Sequence, residues 1–252
     1  NAGAFVNLLN AEMAGLVRAS SFNLGRMLFG DGSGKIATVK SVNSEVITLD
    51  SVAGVDLGME IEIRDADGDI LEAVPGGVIS YVDRANKAIK ISTAATVNNT
   101  TVTTGCFINL KGSYNNEITG LGAIFSSSGS LYGVSRSTSP WLTPYMKNST
   151  GNLTEVAIQT ALDVIEESGG APVNFIICSW GVRRALQKLL TASKRFVETT
   201  ELAGGYKAMT YNGIPVVADR FCQPGTMYLL NTNDFTLHQL CDWQWLAGDD
   251  GK

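Results

Sequence analysis

The chain has 252 residues, 44% of them hydrophobic and 17% charged, with 19 lysines and arginines against 24 aspartates and glutamates, for a formal charge of −5. At this length a folded chain buries roughly 70% of its extended surface, enough for one large domain or two modest ones. No apolar run approaches the ~18 residues of a membrane span; Cys106, Cys178, Cys222 and Cys241 are far apart with no CxxC and read as buried thiols of a reducing compartment; and the negative charge argues against a nucleic-acid grip as the main activity.

Charge is below the roughly 25% usual for soluble domains. Much of the polar surface therefore comes from Asn, Ser, Thr and Gly, which suits a subunit that presents much of itself to neighbours. The first ten residues have neither a basic flank nor a small-residue cleavage site, so no signal peptide is expected.

In chain order, Phe5, Leu8, Leu9, Met13, Leu16, Val17, Leu24, Met27 and Leu28 predict one long amphipathic helix over residues 4–29, with Ser20 and Ser21 as a weak point. Gly30, Gly32 and Gly34 end it. A helix opening the chain with no lead-in and no initiator Met predicts that the sequence starts inside a larger protein. Residues 35–111 are strand-like throughout and predict a small β-barrel or sandwich. Strands are expected at 36–40, 45–50, 59–64, 70–74, 78–82, 88–92 and 102–110, with Asp67-Gly68 as a hairpin turn. "VKSVNSEVITL" and "ISYVDRANKAIKI" are faintly alike, as a repeated hairpin or by shared β composition. From Gly112 onward helices and strands alternate, predicting an α+β region. A helix capped by Asn152 with Glu155 runs to 168, and a buried strand follows at 173–178. Ser179 caps a second helix to 190 that turns Val182, Ala185, Leu186 and Leu189 inward. Strands at 214–218 and 227–230 precede a buried strand face of Cys241, Trp243 and Trp245.

Residues able to carry chemistry are few. The single histidine, His238, closes off multi-histidine metal sites and leaves one base for a triad, so a cysteine-hydrolase reading rests on Cys178 meeting His238 in a cleft. "GDGSGK" at 30–35 fails as a phosphate loop: it is one residue short between glycines, Ile36 replaces the magnesium-binding Ser or Thr, and it follows a helix. Asp65, Asp67 and Asp69 start like a calcium loop, but the glycine falls at 68 and no helix follows, so a turn is the better reading. Arg183, Arg184, Lys188, Lys194 and Arg195 form the one concentrated basic patch, readable as a solvated helix face or as a contact surface. Trp141, between Pro140 and Pro144, belongs to a rigid apolar segment that favours contact with a neighbour.

The series "LFGDGSGKIA", a β insertion, "GSYNNEITGLGAIFSSSGSLYGVSRSTSPWL", "LTEVAIQTALDVIEESGG", "NFIICSWGVRRALQKLL" and "GIPVVADRFCQPGTMYLLNTNDFTLHQLCDWQWL" resembles tailed-phage and prophage major capsid proteins of the HK97-type fold. The likeness lies in the order and spacing of the segments, over essentially the whole chain. It implies an α+β fold in which residues 1–34 are the spine helix of a peripheral domain and 35–111 an inserted all-β domain. Residues 112–150 would be the peripheral return, 151–234 an axial α/β domain, and 235–252 a return strand. It also implies a structural role in an icosahedral shell, in which pentamers and hexamers enclose double-stranded DNA. The implied partners are copies of the chain, scaffold or decoration proteins and non-specifically packaged DNA, with no membrane, no cofactor, no metal and no catalytic residue. The implied location is the virion capsid, assembled in the bacterial host cytoplasm. The family's arm and most of its extended loop would precede Asn1, and a further strand would follow Lys252. The chain alone is therefore expected to be monomeric or weakly associated, and a tight dimer with a large apolar interface in sedimentation would contradict that. The rival readings are a phage tail or baseplate protein, the α+β cysteine hydrolase, and a carbohydrate-binding module resting on Tyr81 and Phe107 of the β zone.

Overall fold

The computed structural model describes residues 2–148, 151–169, 171–192, 199–202, 206–236, 238–242 and 244. The chain divides into two compact units, Asn1–Asn148 with Arg220–Cys222, and Ser149–Asp219 with Gln223–Lys252.

The first unit opens with α1 (Ala2–Phe29), a single helix of 28 residues, about 42 Å long at 1.5 Å per residue. Ser20 and Ser21 do not interrupt it. Among its described side chains, those that pack lie mainly in the C-terminal turns. The Phe22 ring meets Phe221 edge-on at 5.1 Å, and the Arg220 guanidinium lies 4.7 Å from the Phe22 ring and 5.2 Å from Phe221. Gly25 leaves room for this, since a Cβ there would stand 2.9 Å from the Phe221 ring. The glycine-rich stop is as expected: the Gly30 N–H donates to the Met27 carbonyl at 3.0 Å. Gly34 has φ +78°, and its missing Cβ would lie 2.6 Å from the Ser113 carbonyl oxygen, so both conformation and space require glycine.

Six strands follow: β1 (Lys35–Asn43), β2 (Val46–Leu49), β3 (Glu60–Arg64), β4 (Gly76–Asp83), β5 (Ala88–Ser92) and β6 (Phe107–Leu110). They close into a barrel in the order β1-β2-β5-β4-β3-β6, antiparallel at every pairing. The expected barrel-or-sandwich resolves to a barrel, which leaves no strand edge unpaired. Alternation puts Val39, Ile47, Leu49, Ile61, Ile63, Ile79, Ile89 and Ile108 inside, fully buried. The two similar sequence stretches are equivalent hairpins. β1-β2 slips register between Val39 and Ser41, and β4-β5 between Ile79 and Tyr81. Each turn carries a non-glycine residue at positive φ, Ser44 and Lys87. The expected strand at 70–74 does not form: only an isolated bridge joins Ile70 to Arg64. β4 and β6 already occupy both edges of β3, so the turn at Asp65–Asp69 leads into an irregular segment ending at Pro75.

Residues 111–148 form a short helix α2 (Leu121–Ile124), a two-residue ribbon β7 (Ser130–Leu131) and β8 (Val134–Ser135), and a 3-10 turn at Pro140–Leu142. Their organiser is Arg136, which is buried. Its guanidinium donates to four carbonyls, of Ala123 (2.8 Å), Ile124 (3.1 Å), Ser128 (3.1 Å) and Leu142 (3.2 Å). This gives every guanidinium nitrogen a partner and places a cation at the C-terminus of α2.

The second unit carries α3 (Glu155–Gly169), β9 (Phe175–Cys178), α4 (Trp180–Ala192), β10 (Thr199–Leu202), β11 (Tyr206–Tyr211), β12 (Ile214–Ala218) and β13 (Met227–Leu230). The sheet runs β10-β11-β12-β9-β13, with β12 parallel to β9 and the other pairs antiparallel. Ile176, Cys178 and Val216 form one core with Ile158 and Leu162 of α3 and Leu186 and Leu190 of α4. On α4 the inward stripe is Val182, Leu186 and Leu189/Leu190. Ala185 is exposed, because it lies about 100° around the helix from Leu186. The first expected cap shifts: the Thr154 hydroxyl, not Asn152, accepts the Ala157 N–H at 3.2 Å. Ser179 does stand at the start of α4, its carbonyl accepting the Arg183 N–H at 3.0 Å, while its hydroxyl accepts the Gly225 N–H at 3.1 Å.

The expected return strand at 235–252 is not seen. The described residues of that segment lie in no strand. A 3-10 turn at Thr232–Asp234 precedes it, and Gln239 donates to Asp242 three residues on at 2.6 Å, a local bond that competes with a ladder. Cys241 is exposed there, and Trp243 and Trp245 lie outside the described residues.

Candidate assembly surfaces

The α1 surface follows from how little of the helix is packed. Between residues 7 and 19 only Met13 is even half-buried, so Leu8, Leu9, Leu16 and Val17 stand in solvent, Leu8 at 60% of its full exposure. Singly exposed leucines are ordinary, but a row of them on one helix marks a contact surface. The amphipathic spacing marks this stripe, and none of the described residues covers it. Trp141 is also a surface residue, 79% exposed, held on the Pro140–Leu142 turn.

Of the expected basic patch, α4 brings Arg183, Arg184 and Lys188 together, and Lys194 and Arg195 lie outside the described residues. The Arg183 guanidinium lies 5.0 Å from the ring of the half-exposed Trp180. Arg184 and Lys188 border a shallow depression with Gln187 and Thr191. The four ion pairs found among the described residues, Arg26–Glu117, Arg64–Glu62, Arg84–Asp56 and Lys111–Glu60, all lie in the first unit.

The chemistry-bearing residues fall into structural roles. The Asp65 carboxylate accepts the N–H groups of Asp67, Gly68 and Asp69 at 2.9–3.0 Å, so it is consumed by its own turn. Among the described residues no group of three or more His, Cys, Asp or Glu is placed to hold a metal ion, and none of the helices is long and apolar enough to cross a membrane. Cys178 is fully buried, and that burial pushes its thiol up to about 11, against a smaller opposing effect of Arg183. A thiol held protonated is the reverse of an activated nucleophile, and His238 is exposed. Of the two aromatics expected to serve a sugar platform, Tyr81 is exposed in a shallow depression with Asn43, Thr48, Asn86 and Lys90. Phe107 is buried, beneath Lys35 and beside Tyr114.

Burial divides the four cysteines, with Cys106, Cys178 and Cys222 inside and Cys241 exposed. A thiol-specific chromogenic reagent is therefore expected to modify Cys241 at once in the native protein. The other three should react only after denaturant is added. Fast reaction of a second thiol would contradict the burial.

A buried polar network, not foreseen from the sequence, links the barrel to the segment that follows it. Burial pushes the Glu62 carboxyl up, but hydrogen bonds from the Asn109 amide (2.9 Å), Arg64 (2.8 Å) and the Gly112 N–H (3.1 Å) together outweigh it and hold the group below 4.5. Arg64 also donates to Asn109 at 3.1 Å and stacks 4.2 Å from the Tyr114 ring. A carboxyl with a depressed native pKa stabilises the fold above its unfolded pKa and loses that contribution as pH falls through the native value. The stability difference between wild type and Glu62→Gln is thus expected to be constant at neutral pH and to shrink below about pH 4.5. Urea midpoints measured at a series of pH values read this directly.

The fold offers a closed barrel, an α+β unit and helix faces left in solvent. A family comparison adds to this: residues 82–247, about two thirds of the chain, match the family model of the SU10 major capsid protein. The chain belongs to the SU10 major capsid protein family, and its role is structural, in the phage virion. No curated protein and no solved structure matches it. The matched span begins at the end of β4 and takes in nearly all of the second unit.

Proposed function

We propose that the chain is the shell subunit of an icosahedral phage capsid of the HK97-type fold, forming pentamers and hexamers around double-stranded DNA and catalysing nothing. In this reading α1 is the spine helix, the second unit is the axial domain and the barrel is an inserted domain on the outer surface. The observation that carries it is α1 itself: a rod of about 42 Å whose described side chains pack through its last turns while Leu8, Leu9 and Leu16 stand in solvent, in a chain of a capsid family. Such a helix is stabilised by what covers it, and a shell supplies that cover from neighbouring copies. Many modest contacts then replace a few tight ones, because avidity multiplies them. The acidic charge is compatible with enclosing DNA, whose own counterions neutralise it.

Electron microscopy of the chain at rising concentration, before and after a Leu8→Lys/Leu16→Lys double substitution, tests this. Five- or six-fold rings or curved sheets, lost in the double variant, are expected. Straight tubes would transfer the chain to the tail reading, and a tight closed dimer that grows into neither rings nor sheets would overturn the shell reading.

A further inference from the structure

Resting on the shell reading, we propose that the second unit binds a second copy of this chain head to tail, the basic face of α4 in one copy seated on the acidic face of α3 in the next. The charges of this unit's two helices are segregated by sign. α3 carries Glu155, Asp163, Glu166 and Glu167 and no basic residue, and α4 carries Arg183, Arg184 and Lys188 and no acidic one. Glu166, Glu167, Arg184 and Lys188 are exposed. None of these four makes an ion pair among the described residues. Asp163 accepts one bond, from the Gln159 amide at 2.7 Å. Among the described residues, then, Glu166 and Glu167 on α3 and Arg184 and Lys188 on α4 are left without an ion pair of the opposite sign.

The spacing also fits. Arg184 and Lys188 are four residues apart on one helix, as are Asp163 and Glu167 on the other, so each pair rises about 6 Å along its axis. Two such helices laid side by side align both pairs at once. Gln187 and Thr191 lie beside Arg184 and Lys188 on this open face of α4. Each helix adds an exposed apolar side chain near its start, Val156 on α3 and Trp180 on α4, which supplies contact area beside the charges. Because the two patches are different surfaces of the same chain, the contact is heterologous. Repeated, it generates a ring when the rotation closes. Exposed ion pairs give orientation and register more than affinity, which accords with the weak association expected of the isolated chain.

The experiment uses two variants of the full chain, Arg184→Glu/Lys188→Glu and Glu166→Lys/Glu167→Lys, in sedimentation at low and high salt. The wild type is expected to associate with rising concentration at low salt and to dissociate at high salt. Each variant alone faces like charge with like and is expected to lose at least tenfold in association. An equimolar mixture restores opposite charges at both contacts, and association should return; this recovery also shows that each variant is folded. If the wild type assembles and both variants assemble equally well, or the mixture recovers nothing, the inference is overturned and the shell reading stands. If the wild type associates at no concentration even at low salt, the inference is overturned and the shell reading stands. If Arg184→Glu/Lys188→Glu loses retention on a DNA duplex while self-association is unchanged, the α4 face belongs to nucleic acid and the inference is likewise overturned.

Discussion

Replacing Glu117 by Ala should cost about 3–5 kcal/mol, the range for removing one partner of a buried ion pair. Glu117 accepts both Nη atoms of Arg26, at 3.0 and 2.5 Å, and the two side chains keep only 3% and 8% of their exposure. The pair joins the last turns of α1 to the segment that leaves the barrel, ninety-one positions away in sequence. The Arg26 stem also runs across Gly54, where a Cβ would stand 2.9 Å from its Cδ. Without Glu117 the guanidinium has neither water nor a counter-charge. The pair is not ideal, because Arg26 Nε has no partner, and buried pairs of this kind are often replaced by apolar side chains at no loss. Arg26→Met combined with Glu117→Leu is therefore expected to recover most of the stability lost in Glu117→Ala. Urea denaturation followed by circular dichroism measures all three proteins. A loss under about 1 kcal/mol for Glu117→Ala, the size of an exposed pair, would mean that water reaches the site.

Why the sequence reveals α1 and the barrel, yet hides what joins them, has a physical explanation. Periodicity is a local signal. The apolar spacing of 4–29 is sufficient to specify a helix, and alternation around Val39, Ile47, Ile61 and Ile89 specifies strands with one face inward. The hairpin at 70–74 had the right turn and the right composition, and it failed for a non-local reason: β3 had both neighbours already. The hairpin β10-β11 shows the opposite case, a pairing of Thr199–Leu202 with Tyr206–Met209 whose mixed polar composition announces no strand. Among the surfaces, the basic run was visible because like charges cluster in sequence. The Glu166-Glu167 pair on α3 is too short a run to stand out in the same way. The most consequential residues in the first unit, Arg26, Glu117 and Arg136, are isolated charges in unremarkable surroundings. Their burial follows from the tertiary fold, and nothing at i±3 or i±4 signals it.

Gly120→Ala should be still more disruptive to the seating of α1, and Gly15→Ala shows why position decides. At Gly15 an added Cβ meets nothing within 4 Å, and an exposed helix interior gains roughly 0.5–1 kcal/mol from Ala in place of Gly. At Gly120 the same methyl would press against the Met27 carbonyl oxygen while standing 2.5 Å from that of Leu28 and 2.7 Å from that of Gly30. These are among the last carbonyls of α1, whose ends need partners outside the helix. The Gly122 N–H supplies one, donating to Gly30 O at 3.1 Å. A side chain can rotate away from an intruding methyl, but three backbone oxygens of one helix end cannot. The segment carrying Glu117, Gly120 and α2 must instead move off the helix, which weakens the Arg26–Glu117 pair as well. The expected loss is about 3 kcal/mol or more, at the upper end for overpacking, while Gly15→Ala raises stability slightly. Thermal melts and amide exchange at the C-terminal turn of α1 report on both. If Gly120→Ala melts with the wild type and leaves exchange at Met27–Gly30 unchanged, α1 is not seated on this segment, and the packing described for its C-terminal end is wrong.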